Sequence, residues 1–390
     1  MEKNLLQSIT DYAGEGWMPF HMPGHKRAPL GGGLPWQLDI TETAGFDDLK
    51  DPRGILRDLT RRAAARWSAD EAWIGVNGST GAILAGIRAM TKRGDTVLAA
   101  RNCHVSVFHA MELCALRPVF LEPEWLPAWG VYGALSQRTL DNALRTHPEA
   151  ALCIVTSPTY EGILSPLECP IPLFADAAHG AAIVTGNHGA HLPLPRADLA
   201  AVSLHKTLPA LTQTALLLSC GPRVDREKVS REMRVFQTSS PSYVLLASVA
   251  HCLALLEEHR EDWFAAWERR LDAFYAHARR WRGLRLFNAE NHDRGKLLIH
   301  CDAEHAAAHL RHLKIEPEYA RGNLLLLMTS CCDTDEAMAR LTAALDALDA
   351  HCPPAPPPAP RPAPLPEGFL DDPSRWAVEY PPGVPTQNLS

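Results

Sequence analysis

The stretch Ala201–Ala210 reads AVSLHKTLPA. An apolar run, Leu199 to Val202, reads as a buried strand and breaks at Ser203, His205 and Lys206, with Pro209 just beyond. An ammonium is costly to bury. Burial and cationic neighbours lower a lysine's pKa, and the neutral amine is the nucleophile that forms a Schiff base. A lysine at the inner end of a strand is therefore a candidate for covalent chemistry.

Similar strands recur on either side. TVLAA (96–100), PVFLE (118–122), ALCIVTSP (151–158), IPLFADAAHG (171–180), DLAAVSLHK (198–206) and TALLLSC (214–220) read as strands. SVFHAMELCAL (106–116) and TLDNALRTH (139–147) between them read as helices. Apolar runs separated by helices predict an α/β fold with a mainly parallel sheet covered on both faces. Ligands of such sheets bind at the carboxyl ends of the strands. Those ends carry Thr156–Ser157, Asp176, His179, Ser203, His205 and Lys206.

Residues 241–281 read as helical, with an apolar stripe of Leu245, Leu246, Val249, Leu253 and Leu256. After Gly283 a smaller α/β unit is predicted from KLLIHCD (296–302), HAAAHLRHL (305–313), NLLLLMTS (323–330) and the helix-like 335–351. CPPAPPPAPRPAPLP (352–366) reads as an extended linker. The chain thus divides into an N-terminal segment (1–40), a large domain (41–283), a small domain (284–351), the linker and a tail (367–390) with no core of its own.

The bulk numbers exclude several classes. The 390 residues carry a net charge of −7, with 46% hydrophobic and 21% charged residues, as expected of a soluble globular protein. No basic stripe suggests a nucleic-acid partner, and no apolar run reaches membrane-spanning length. The N-terminus lacks the basic start and apolar core of a signal peptide, and the ten cysteines form no C-x-x-C pair, so reduced thiols in the cytoplasm are expected. The pairs His21/His25 and His188/His191 have spacings that suit a metal, but no cysteine or carboxylate completes a ligand set, and no metal is expected.

Three elements carry chemistry together. VNGSTGAILAGIRAM (76–90) is a glycine-bounded turn entering a helix, which puts Gly78, Ser79 and Thr80 where free N–H groups favour an anion. It is neither a G-x-x-x-x-G-K-[ST] loop nor a G-x-G-x-x-G turn. In DAAHG (176–180), Asp176 closes an apolar strand; it can cap a helix or keep a ring nitrogen protonated. Lys206 supplies the amine. Phosphate at the helix, pyridinium on the aspartate and aldehyde on the lysine are what pyridoxal 5′-phosphate requires.

The motifs PFHMPGHKR (19–27), DITETAGFDDLKDPRGIL (39–56), VNGSTGAI (76–83), RNCHVSVFHAM (101–111), TSPTYEGI (156–163), DAAHGA (176–181), SLHKTLPALTQTALL (203–217), QTSSPSYVLLAS (237–248) and YPPGVP (380–385) run along most of the chain. In these the sequence resembles the ornithine/lysine/arginine decarboxylase family, in its short form, with the aspartate aminotransferase fold (fold type I). The resemblance implies Lys206 as the Schiff-base lysine, Asp176 as the pyridinium partner and His104 as the ring stacked on the cofactor. It implies that Gly78, Ser79, Thr80, Ser203 and His205 hold the phosphate, and that His179 lies against the cofactor. It further implies a homodimer in which Thr238 and Ser239, or Ser240, reach the other subunit's phosphate, with HMPGHK lining the substrate entrance. The TYEG stretch (159–162) gives Tyr160 and Glu161 no specific role.

The implied activity is decarboxylation of arginine, lysine or ornithine to an amine of polyamine metabolism. Transamination, β-elimination and a non-catalytic regulatory role remain open. The family's D-E-A-H-G-A-H is here DAAHGAA, with Ala177 and Ala182 in place of a glutamate and a histidine. Val105 stands where a lysine is common, and the stretch between TYEGI and IPLFAD is short.

Overall fold

A computed structural model describes residues 4–15, 23, 32–185 and 197–363. Helices α1 (Leu5–Gly14) and α2 (Ile55–Arg66) precede the first strand, β1 (Glu71–Gly75). Helix α3 (Gly78–Met90) leads to β2 (Thr96–Ala100), α4 (Val105–Leu113) and β3 (Arg117–Leu121). A small hairpin, β4 (Trp125–Leu126) and β5 (Val131–Tyr132), and α5 (Gln137–Thr146) come before β6 (Leu152–Thr156) and β7 (Leu173–Asp176). Then follow α6 (Ala181–Thr185), β8 (Leu199–Ser203), the single turn α7 (Leu204–Thr207) and β9 (Ala215–Ser219). Helices α8 (Arg226–Phe236) and α9 (Tyr243–Ala278) lead to β10 (Arg285–Leu286), β11 (Lys296–His300), α10 (Ala303–His312), β12 (Tyr319–Arg321), β13 (Leu324–Met328) and α11 (Asp335–Asp349).

The seven-stranded sheet has the order β1-β9-β8-β7-β6-β2-β3. It is parallel except for β9, which runs against both β8 and β1. The register decides where the site lies. Thr156 pairs with Asp176, Asp176 with Ala201, Ser203 with Ala215 and Ala215 with Gly75. The ends of β6, β7, β8 and β1 therefore share one edge with the start of β9. The turns that leave this edge carry Gly78–Thr80, His179 and Lys206.

Helix α3 lies on the sheet through small residues. Gly81, Ala82, Ala85, Gly86 and Ala89 are all buried. A β-carbon at Gly86 would stand 2.4 Å from the Phe174 ring and 3.1 Å from Leu199. Of the stripe expected on α9, Leu246, Val249, Leu253 and Leu256 are buried and Leu245 is half-buried. They share an apolar core with α1, α2 and the second sheet.

The second sheet, with α10 and α11, forms the smaller α/β unit. Its four strands, β10-β11-β13-β12, are all antiparallel. KLLIH and NLLLLM announce burial, but an apolar run carries no information on strand direction. The proline-rich segment is extended through residue 363, yet it lies against the protein rather than spanning open solvent. Pro362 is buried, Ala359 packs on Gly130, and Arg101 donates to both Glu122 and the Ala363 carbonyl. The remaining linker residues 364–366, the tail 367–390, His188 and His191 lie outside the described residues, as does HMPGHK except for Pro23.

Candidate active site

Strand β8 ends at Ser203 and the chain immediately makes the single turn α7. Leu204 N–H donates to the Thr214 carbonyl at 3.0 Å, and the His205 ring nitrogen Nδ1 lies 3.1 Å from the same oxygen. This turn points Lys206 into a cavity of about 740 Å³, counted out to its open mouth, lined also by Ser79, His104, Asp176 and His179.

Asp176 closes β7 and is buried, with Oδ1 accepting the Ala178 N–H at 3.1 Å. His104 caps α4: its Nδ1 accepts the Ser106 N–H at 3.2 Å, which puts the ring proton on Nε2. The protein around His104 lowers its pKa, opposed by Asp176 and reinforced by Lys206 and His109. Burial also lowers the Lys206 pKa, against the pull of Asp176 and Glu318. His179 is 5% exposed and held well below the usual histidine range, first by burial, then by Lys296, Lys206, His104 and His205. It is a neutral ring whose Nε2 lies 3.1 Å from Lys206 Nζ.

The helix start beside these groups is uncommitted. Asn77 makes no capping hydrogen bond to α3, and Gly78, at φ +70°, donates to the Gln213 carbonyl. Ser79 faces the cavity; Thr80 is exposed and does not line it. Ser203 Oγ and Thr156 Oγ1 are buried without a hydrogen-bond partner. An uncapped helix start with orphaned hydroxyls nearby fits an anion. Together with the buried carboxylate and the amine of Lys206, it fits pyridoxal phosphate.

Not every expected residue meets at this cavity. Ser203 and His205 do not line it. Thr238 and Ser239 are exposed, and Thr238 borders a separate depression with Lys50, Arg57 and Gln237. Ala177 and Ala182, the two departures from the family pattern, are buried in the apolar core and do not line the cavity.

Tyr160, Glu318, Glu161 and Lys296, left without a role in the sequence, do contribute. Tyr160 lies edge-on to His179, with ring centroids 5.0 Å apart, and its hydroxyl donates to Glu318 at 2.5 Å. Glu161 lines the cavity, accepts the Thr159 hydroxyl at 3.0 Å, and is pushed up from the usual carboxylate range by burial. The fourth is Lys296, at the start of β11. It is 1% exposed, with Nζ 2.6 Å from His179 Nδ1, 3.2 Å from Met328 Sδ and 5.7 Å from the centre of the Tyr160 ring. Burial lowers its pKa to about 8, with Asp293 the main opposing influence. In sequence it is only a lysine heading an apolar run.

The profile of the Orn/Lys/Arg decarboxylase major domain matches residues 4–271. The chain belongs to the Orn/Lys/Arg decarboxylase family. It is 33% identical over 291 residues to the uncharacterized protein YaaO of Bacillus subtilis, covering 67% of this chain and 58% of that one. It is 30% identical over 268 residues to an arginine decarboxylase of Bacillus cereus, covering 64% and 58%. The lysine decarboxylase LdcF of Francisella novicida superposes with a TM-score of 0.77 at 20% identity, over 89% of this chain and 60% of that one. The chain thus spans about three fifths of the length of these relatives. The fold is that of the pyridoxal phosphate enzymes of fold type I, and pyridoxal phosphate is the cofactor of this decarboxylase family. No described helix is long and apolar enough to cross a membrane.

Proposed function

We propose that the chain catalyses α-decarboxylation of arginine, lysine or ornithine, releasing CO2 and the corresponding amine. The observation that carries this reading is the convergence of Lys206, Asp176 and His104 on one cavity beside the uncapped start of α3. Pyridoxal phosphate, when bound, supplies an electron-accepting ring for the pair left at Cα as the carboxylate departs. The Asp176 carboxylate would hold a proton on the ring nitrogen. His104 would offer a flat face fixed by its bond to Ser106. Ser79, at the uncapped start of α3, would hold the phosphate, and Lys206 would present its amine to the aldehyde carbon.

Glu161 lines the cavity and Glu318 lies across Tyr160, which supports a substrate with a distal cation. We further infer a cytoplasmic homodimer in which the exposed Thr238 and Ser239 face the partner, feeding amines to polyamine formation. The test is incubation with pyridoxal phosphate and each of the three amino acids, with product identification. Agmatine, cadaverine or putrescine with CO2 is expected; a keto acid would replace this reading with transamination.

A further inference from the structure

Lys296 comes from a different sheet, yet it touches the same ring as Lys206. His179 lies between the two amines, with Nδ1 at 2.6 Å from Lys296 and Nε2 at 3.1 Å from Lys206. A neutral imidazole carries one proton, so one nitrogen donates and the other accepts. An ammonium can only donate. The other contacts of Lys296 Nζ, the Met328 sulfur and the Tyr160 ring, are weak acceptors that suit a cation. We propose that Lys296 is a positioning residue: it donates to His179 Nδ1, fixes the imidazole proton on Nε2, and so makes His179 a donor that holds Lys206 as a neutral amine.

Both lysines lower the pKa of His179, and Lys206 also lowers that of Lys296, so the three basic groups disfavour one another's charges. Around Lys296 stand Asp293 from the preceding loop, Tyr160 and Glu161 from the loop after β6, His179 from the loop after β7, Lys206 from α7 and Glu318 ahead of β12. The value of about 8 leaves Lys296 mostly charged at pH 7, while His179 stays neutral. The chain of donation then runs one way, from Lys296 through His179 to the lone pair of Lys206. That lone pair is what attack on an aldehyde needs.

The proposal rests on Lys206 being the cofactor lysine. Its first tests are read in the 390-residue chain before cofactor or substrate is added, so failure of the decarboxylase reading leaves it standing. Long-range 1H–15N spectra of the histidine-labelled protein at pH 7, with His179→Gln for assignment, report the tautomer without altering Lys296. Protonated Nε2 and bare Nδ1 are expected; a proton on Nδ1 overturns the proposal. In Lys296→Met, acetylation of Lys206 at pH 7, followed by peptide mass spectrometry, is expected to fall several-fold as the amine regains its proton. The difference should close above pH 8, where wild-type Lys296 also loses its charge. The visible band formed on adding pyridoxal phosphate should rise more slowly by the same factor. Equal labelling of the two proteins at pH 7 overturns the proposal.

Discussion

The two walls of the cavity treat their polar groups in opposite ways. The wall built from strand ends of the seven-stranded sheet leaves them open: Thr156 Oγ1 has no partner, and α3 has no side-chain cap. The wall facing the second sheet commits most of them: Lys296 bonds His179, Glu161 accepts from Thr159, and His292 Nε2 lies 2.9 Å from the Glu161 carbonyl, while His292 Nδ1 has no partner. A surface that receives a ligand keeps its donors free. A surface that holds charges in place ties them to protein, and buried polar groups left untied are costly.

The comparison breaks first at Lys206. Lys206→Ala should lose the visible cofactor band and fall to background amine production, with an unchanged circular dichroism spectrum. A persisting band would remove the open wall from the chemistry.

The next effect tests the committed wall by pH. Burial holds His292 neutral, with its pKa at about 4 against an ordinary 6.5. The unfolded chain binds this proton first. The stability from keeping the ring neutral is complete above pH 6.5 and is lost as pH falls towards 4. The shift is worth about 3 kcal/mol. Urea unfolding across this window should show that slope, flattened in His292→Asn.

A pair of glycines sharpens the contrast. Gly86 lets α3 rest on the sheet, and Gly86→Ala is expected to cost about 1–3 kcal/mol by overpacking with little change at the site. At Gly162, φ is +96° and a β-carbon would meet Lys296 at 2.8 Å. Gly162→Ala should combine a similar stability loss with slower cofactor capture, which a thermal melt and the rise of the visible band separate.

The smallest expected effect has the opposite sign. Lys296 falls from 10.5 to about 8 on folding, so its burial penalty is full below pH 8 and vanishes above 10.5. That penalty is about 3 kcal/mol, and the donor lost at His179 returns roughly 1–2 of it. Lys296→Met should therefore unfold at higher urea, by about 1 kcal/mol, at neutral pH.

The same division separates what the sequence reveals from what it conceals. Lys206, Asp176 and His179 follow apolar strands of one sheet, and the strand-end rule puts them on one edge. Glycine and serine ahead of a helix of small residues mark α3 equally well. Lys296 has no such mark. Its burial follows from pairing with Met328 in β13, a non-local register. The bond from Tyr160 to Glu318 joins segments with no shared pattern. The reversed direction of β9 and the antiparallel second sheet are equally silent, because hydrophobicity records depth rather than direction.

The reversal at β9 has a kinetic consequence. Lys206 sits in a short connection between two antiparallel neighbours, β8 and β9, so hairpin contacts can position it soon after that stretch collapses. Lys296 closes a far longer loop and arrives with a later-paired sheet. That order predicts that Lys206 is positioned before the lysine proposed to tune it.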